Sequence, residues 1–198
     1  MQIGKIIHPI KSLGIGERIG IWTLGCFRNC KNCSNPELQY FDKDKELSLN
    51  DLIDLLKSYT FDGVTISGGE PFLQIHELYL LVKAIIEEIK IDDILIFTGY
   101  KIEELQAMKN SEIDYILHHI AVLVDGPYVE ELHTEKPLLG SSNQKIIILN
   151  KKYEDAYLGY LKQEKIFDII HDENEIHFVG IPIKDFQLKY PYYQKGEK

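Results

Sequence analysis

Basic residues are in short supply in this sequence: 22 lysines and arginines face 31 aspartates and glutamates, a formal net charge of −9 over 198 residues. A general nucleic-acid binder needs a basic face for phosphate, so this balance argues against one. Long hydrophobic runs are missing too. No apolar stretch approaches the length of a membrane span. Met1 to Leu13 lacks the extended apolar core of a signal peptide, so no membrane partner is expected and the chain reads as cytoplasmic. There is no internal repeat and no low-complexity linker. The length suits one domain that buries about 70% of the surface its unfolded chain would expose. Cysteine is rare, at three residues, an odd count that excludes a closed disulfide framework. All three fall between Cys26 and Cys33, which turns attention to that short segment.

The rest of the chain alternates short β-rich runs with helical ones. Strands are expected at Arg18 to Leu24, Gly63 to Ser67, Ile94 to Thr98, Ala121 to Val124, Lys145 to Leu149 and Glu175 to Val179. A helix is expected after Ser48, whose hydroxyl can cap the first turn with Asp51 at the matching position. Two more are expected over Ile75 to Ile89 and from Lys101 to about Met108. Helices between apolar strands imply parallel strands joined by crossovers, buried on both faces. An open doubly wound sheet and a partial barrel both satisfy this α/β pattern. In either, functional residues belong where strands end, and Cys26, Gly68, Gly99 and Asp125 each follow a strand. The chain beyond Asp185 is aromatic and charged and reads as a tail, with Tyr190, Tyr192 and Tyr193 as candidates for an interface or for packing on the protein's own helices.

The cysteine segment runs Leu24-Gly25-Cys26-Phe27-Arg28-Asn29-Cys30-Lys31-Asn32-Cys33. Three thiols at this spacing can be buried and inert, can contribute to structural zinc, or can hold an iron–sulfur cluster. Zinc wants four ligands, and no histidine lies in the loop. Thiolates are the usual ligands of a 4Fe-4S cluster, and three of them leave one iron open for chemistry. Arg28 and Lys31 would offset the negative charge there. A second segment, Thr65-Ile66-Ser67-Gly68-Gly69-Glu70-Pro71, ends a strand and leads into a helix. Paired glycines let the backbone approach a ligand closely, and proline suits the first helical turn.

The C-x3-C-x2-C spacing followed by Gly-Gly-Glu-Pro resembles the radical S-adenosylmethionine superfamily. Further along, Phe97-Thr98-Gly99-Tyr100, Val122 to Val129 and Gly140-Ser141-Ser142-Asn143-Gln144 keep an order similar to that of glycyl-radical-enzyme activases of the anaerobic ribonucleotide reductase type. The resemblance covers roughly Gly14 to Leu149. It implies a partial (βα)6-type barrel with parallel strands, a core domain over 1–185 and a tail over 186–198. It implies a 4Fe-4S cluster on Cys26, Cys30 and Cys33, with S-adenosylmethionine on the open iron. It also implies that Gly68, Gly69 and Glu70 hold the methionine ammonium. Thr98, Asp125 and Asn143 would stand beside the cofactor, with Asp125 also a candidate contact for a monovalent cation. The implied reaction is reductive cleavage of S-adenosylmethionine to a 5′-deoxyadenosyl radical, which takes a hydrogen atom from a glycine of a partner enzyme. A flavodoxin- or ferredoxin-type protein would supply the electron. Alternatives are a radical enzyme acting on another peptide or a small molecule, and a non-catalytic metal module that only docks. Asn32 departs from the superfamily, many members of which carry an aromatic residue before the third cysteine. The scattered histidines are assigned no role.

Overall fold

Strand β2 (Arg18–Thr23) is buried along its whole length, as an apolar run must be when both faces of a sheet are covered. It lies inside a six-stranded sheet of order β1-β2-β3-β4-β5-β6. The other strands are β1 (Ile3–Ile10), β3 (Gly63–Gly68), β4 (Ile94–Phe97), β5 (Val122–Asp125) and β6 (Lys145–Ile148). The structure, a computed structural model, describes residues 1–171 and 176–184. The tail read from the sequence, with its three tyrosines, lies outside the described residues.

Strands β2 to β5 run parallel, joined by α1 (Leu49–Lys57), α2 (Ile75–Ala84) and the pair α3 (Ile102–Ala107) and α4 (Ser111–His119). Ser48 caps α1 as expected, accepting from the Asp51 amide at 3.2 Å. The expectation of parallel strands throughout fails at both edges, where β1 and β6 are antiparallel to their neighbours. No α-helix separates β5 from β6, and without a crossover the chain can only return antiparallel. The strand expected at Glu175 to Val179 exists as β8 (Ile176–Val179), but it pairs with β7 (Asp168–His171) in a separate two-stranded sheet. The sixth place in the main sheet belongs to β1. Its Pro9 hid it from periodicity, yet proline is acceptable on an edge strand.

The four crossover helices share one face of the sheet. Ile19, Ile21, Val64, Ile66, Ile94 and Ile96 pack there against Leu52, Leu56, Leu78, Leu81, Leu105 and Ile116. On the opposite face, Trp22 meets Val179 of β8 and Leu95 meets Tyr157 of α5 (Glu154–Tyr160). The β7–β8 hairpin is tied down by Asp168, whose Oδ2 accepts from the amides of Lys11 and Ser12 at 2.9 Å each. Among the described residues no helix is long and apolar enough to cross a membrane.

At the starting end of the parallel strands lies a fully buried arginine. Arg18 donates from Nε to Thr65 Oγ1 (2.7 Å), from Nη2 to Val64 O (2.7 Å) and from Nη1 to Asp93 Oδ2 (2.6 Å). Tyr157 donates its hydroxyl to the other oxygen of Asp93 at 2.7 Å, and burial pushes that phenol well above its ordinary value. Gly63 leaves room for this network, since a Cβ there would lie 2.3 Å from Arg18 Nη1. Asp93→Ala should cost about 3–5 kcal/mol, because it strands a buried cation. Tyr157→Phe should cost about 1 kcal/mol, the net worth of one hydrogen bond. Urea unfolding followed by the fluorescence of Trp22, the single tryptophan, checks both. A loss under about 1 kcal/mol for Asp93→Ala would mean that the pair is not the anchor it looks to be.

Candidate functional site

The parallel strands all end on one edge, and there the chain assembles an open cavity. Cys26, Cys30 and Cys33 line it together with Gly68, Gly69 and Glu70. The cysteine loop is held from both sides. Gly25 and Cys26 donate their amides to Leu38 O (2.9 Å) and Gln39 O (2.8 Å), and the Cys33 amide reaches Cys30 O at 3.2 Å. Asn29 and Asn32 take positive φ, 46° and 55°, a region asparagine enters more readily than most residues. Asn32 donates its side-chain amide to Glu130 Oε1.

Two backbone hydrogen bonds tie the glycine segment to the end of β2 and to this loop. Gly69 N donates to Thr23 O (2.8 Å) and Glu70 N to Gly25 O (2.7 Å). A Cβ on Gly69 would sit 2.2 Å from the Gly25 carbonyl oxygen, so no other residue fits there without moving the cysteine loop. Glu70 is fully buried. Its carboxylate accepts from Thr98 Oγ1 (2.8 Å), Gly99 N (2.7 Å) and Phe72 N (3.1 Å). Burial raises its pKa, and the three donors partly offset that rise. Glu70 thus binds strand ends β3 and β4 together at the cavity wall.

The three thiols are free and half-buried. Burial raises the pKa of each, and each also feels the negative charge of at least one of the others. They therefore lie within electrostatic reach of one another. Among the described residues no three Cys, His, Asp or Glu side chains converge tightly enough for a single metal ion. A four-iron cubane carries each thiolate on its own iron and suits a wider triangle. Arg28 also fits an anionic guest: it lines the cavity, lowers the pKa of Cys26 and Cys30, and has a buried Nε without a hydrogen-bond partner among the described residues. Lys31 does not share this role. It is exposed, and its ammonium lies 2.7 Å from Glu130 Oε2.

The other sequence-derived candidates divide. Thr98 lines the cavity and accepts from the Tyr100 amide while donating to Glu70. Asp125 is buried outside the lining, and its two carboxylate oxygens accept from the amides of Ile102 (2.8 Å) and Lys145 (3.2 Å). It anchors α3 and β6. Asn143 donates to Pro127 O at 2.8 Å and likewise stands outside the lining, while its neighbour Gln144 is in it. Sequence reading missed the apolar wall formed by Trp22, Phe97, Phe178, Val179 and Ile181. The strand alternation already places Trp22 opposite Ile19 and Ile21, a usable signal. The contribution of β8 had none.

Comparison with known proteins places the site in context. The family described as the 4Fe-4S single cluster domain matches residues 12–147. The chain is 30% identical over 142 residues to the anaerobic ribonucleoside-triphosphate reductase-activating protein of Enterobacteria phage T4, covering 67% of this chain and 85% of that protein. It is 32% identical over 142 residues to the protein of that name from Haemophilus influenzae, covering 66% and 87%. The Escherichia coli K12 protein of that name is 34% identical over 141 residues, covering 66% and 88%.

Thiolates, not thiols, bind iron, so raised thiol pKa values make cluster loading a proton-releasing event. Iron and sulfide uptake by the cluster-free protein should therefore improve as pH rises from about 7 towards the ordinary cysteine range near 8.5. Uptake followed by the brown charge-transfer absorbance checks the sign, and a decline over that interval would contradict it.

Proposed function

The chain belongs to the 4Fe-4S single-cluster family, and on that premise we propose that it is a radical S-adenosylmethionine enzyme that activates an anaerobic ribonucleotide reductase by forming a glycyl radical. One observation carries the reading: the three cysteine thiols and the Gly68-Gly69 backbone line the same cavity, at the end of the parallel strands. One-sided helix packing around four parallel strands supports a partial-barrel core.

In this reading Cys26, Cys30 and Cys33 hold the cluster. Gly68 and Gly69 present backbone to the amino-acid end of S-adenosylmethionine without side chains in the way. Glu70 keeps that backbone in place through its three donors and adds negative charge for the methionine ammonium. The bound cluster and cofactor supply an electron and an abstracting radical. The apolar wall keeps water from the reacting atoms. The electron comes from a flavodoxin- or ferredoxin-type protein. A second reading, modification of a different peptide or a small molecule, is favoured by Phe178 to Ile181: they line the cavity yet lie beyond the family match at residues 12–147.

Anaerobic reconstitution should yield about four irons per chain, as a cubane implies, and Cys30→Ala should lose them. With S-adenosylmethionine and dithionite the loaded protein should release 5′-deoxyadenosine. Mixed with an anaerobic ribonucleotide reductase, it should produce a glycyl radical signal by electron paramagnetic resonance. Deoxyadenosine without that signal selects the second reading, and full iron in Cys30→Ala removes the ligand assignment.

A further inference from the structure

Arg28 is a cation with an incomplete set of partners. It sits in the cysteine loop between Cys26 and Cys30, and its side chain is 19% exposed. Its guanidinium lies over the Phe27 ring at 5.2 Å and the Tyr100 ring at 4.8 Å, and those rings meet each other at 5.6 Å. Such stacking orients the group but neutralises none of its charge. The nearest paired carboxylate, Glu104, stays at 3.7 Å, beyond hydrogen-bond length, and Glu104 is itself half-exposed. Glu70 feels the charge, but its oxygens are engaged by Thr98, Gly99 and Phe72. The buried Nε has no acceptor among the described residues.

The neighbouring strand end is shaped to hold Arg28 there. A Cβ on Gly99 would lie 2.4 Å from Arg28 Cδ and 2.5 Å from Nε, while Gly99 donates its own amide to Glu70. The Thr98-Gly99-Tyr100 segment thus seats the arginine with Gly99 beneath it and Tyr100 stacked on it. A desolvated, under-partnered cation is costly unless an anion completes it, and this one lines the cavity beside two of the three thiols.

We propose that Arg28 is the anion-binding group of the cavity, held by Gly99 and the Phe27–Tyr100 pair to meet a negatively charged guest. The inference rests on the cluster reading above. Two sources share that chemistry: the iron–sulfur cluster with its thiolates, and the carboxylate of the amino-acid end of S-adenosylmethionine.

The test compares anaerobically reconstituted wild-type, R28M and R28K proteins at matched iron content. The readouts are the cluster reduction potential without S-adenosylmethionine, and the affinity for S-adenosylmethionine in the unreduced state. If the cluster is the guest, R28M lowers the potential, because a nearby positive charge favours the reduced, more negative cluster. If the carboxylate is the guest, binding weakens about tenfold to hundredfold, the loss expected for a charge-assisted hydrogen bond. In either case R28K, which keeps the charge, recovers part of the effect. Unchanged potential and unchanged affinity in R28M overturn the proposal. So does an R28K protein as impaired as R28M, since the arginine would then serve only to pack against Phe27 and Tyr100. A wild-type chain that takes up no iron would instead overturn the cluster reading itself.

Discussion

The buried pair of Arg18 and Asp93 sets the geometry on which the site depends. One guanidinium touches β2, β3 and the approach to β4 at once, and α5 completes the pair through Tyr157. Charges taken this far from water are tolerated only when each is fully partnered, so the strands have one register that satisfies them. That register runs from Arg18 opposite Gly63 to Thr23 opposite Gly68. It therefore brings the start of the cysteine loop level with the glycine segment at the far end of the same two strands. A slip of one residue would point each side chain at the wrong face and part the thiols from the backbone they stand beside.

At the cavity the balance is reversed. There the polar groups are arranged with partners missing or provisional. Three half-buried thiols disfavour their charged forms, and an arginine lacks an acceptor at Nε among the described residues. Glu70, by contrast, is saturated with donors. Glu70 therefore ties strand ends together while lining the same cavity as the thiols and Arg28.

The segment beyond the family match adds a wall to an otherwise shared core. Lys165 reaches the carbonyls of Thr134 and Leu139 at 2.7 and 2.9 Å, and Ser12 donates to Val179 O at 2.9 Å. The Ser12 bond holds β8, whose Val179 packs with Trp22 on the face of the sheet that no crossover helix covers. The family match ends at residue 147, before this wall.

Much was legible in the sequence because it depends on near neighbours. The four central strands, the crossover helices α1 to α3 and the Ser48 cap follow from local periodicity and end signals, while α4 was not expected from the sequence. The cysteine spacing places three thiols in one loop, and Gly-Gly-Glu-Pro marks a backbone open to a ligand. What only the tertiary structure decided depends on residues far apart in the chain. Asp125 and Asn143 carry polar groups suited to a cofactor; Asp125 accepts from the amides of Ile102 and Lys145, while Asn143 gives its amide to the carbonyl of Pro127 and keeps a buried Oδ1 without a partner among the described residues. Lys31 is drawn away by Glu130, while Arg28 stays in the cavity lining with the thiols. The outer strands turn antiparallel because no helix intervenes, and β8 leaves the sheet for a hairpin of its own. Composition and spacing specify which groups are available. Burial and competition for hydrogen-bond partners, which exist only once distant segments meet, decide which of them remain free to act.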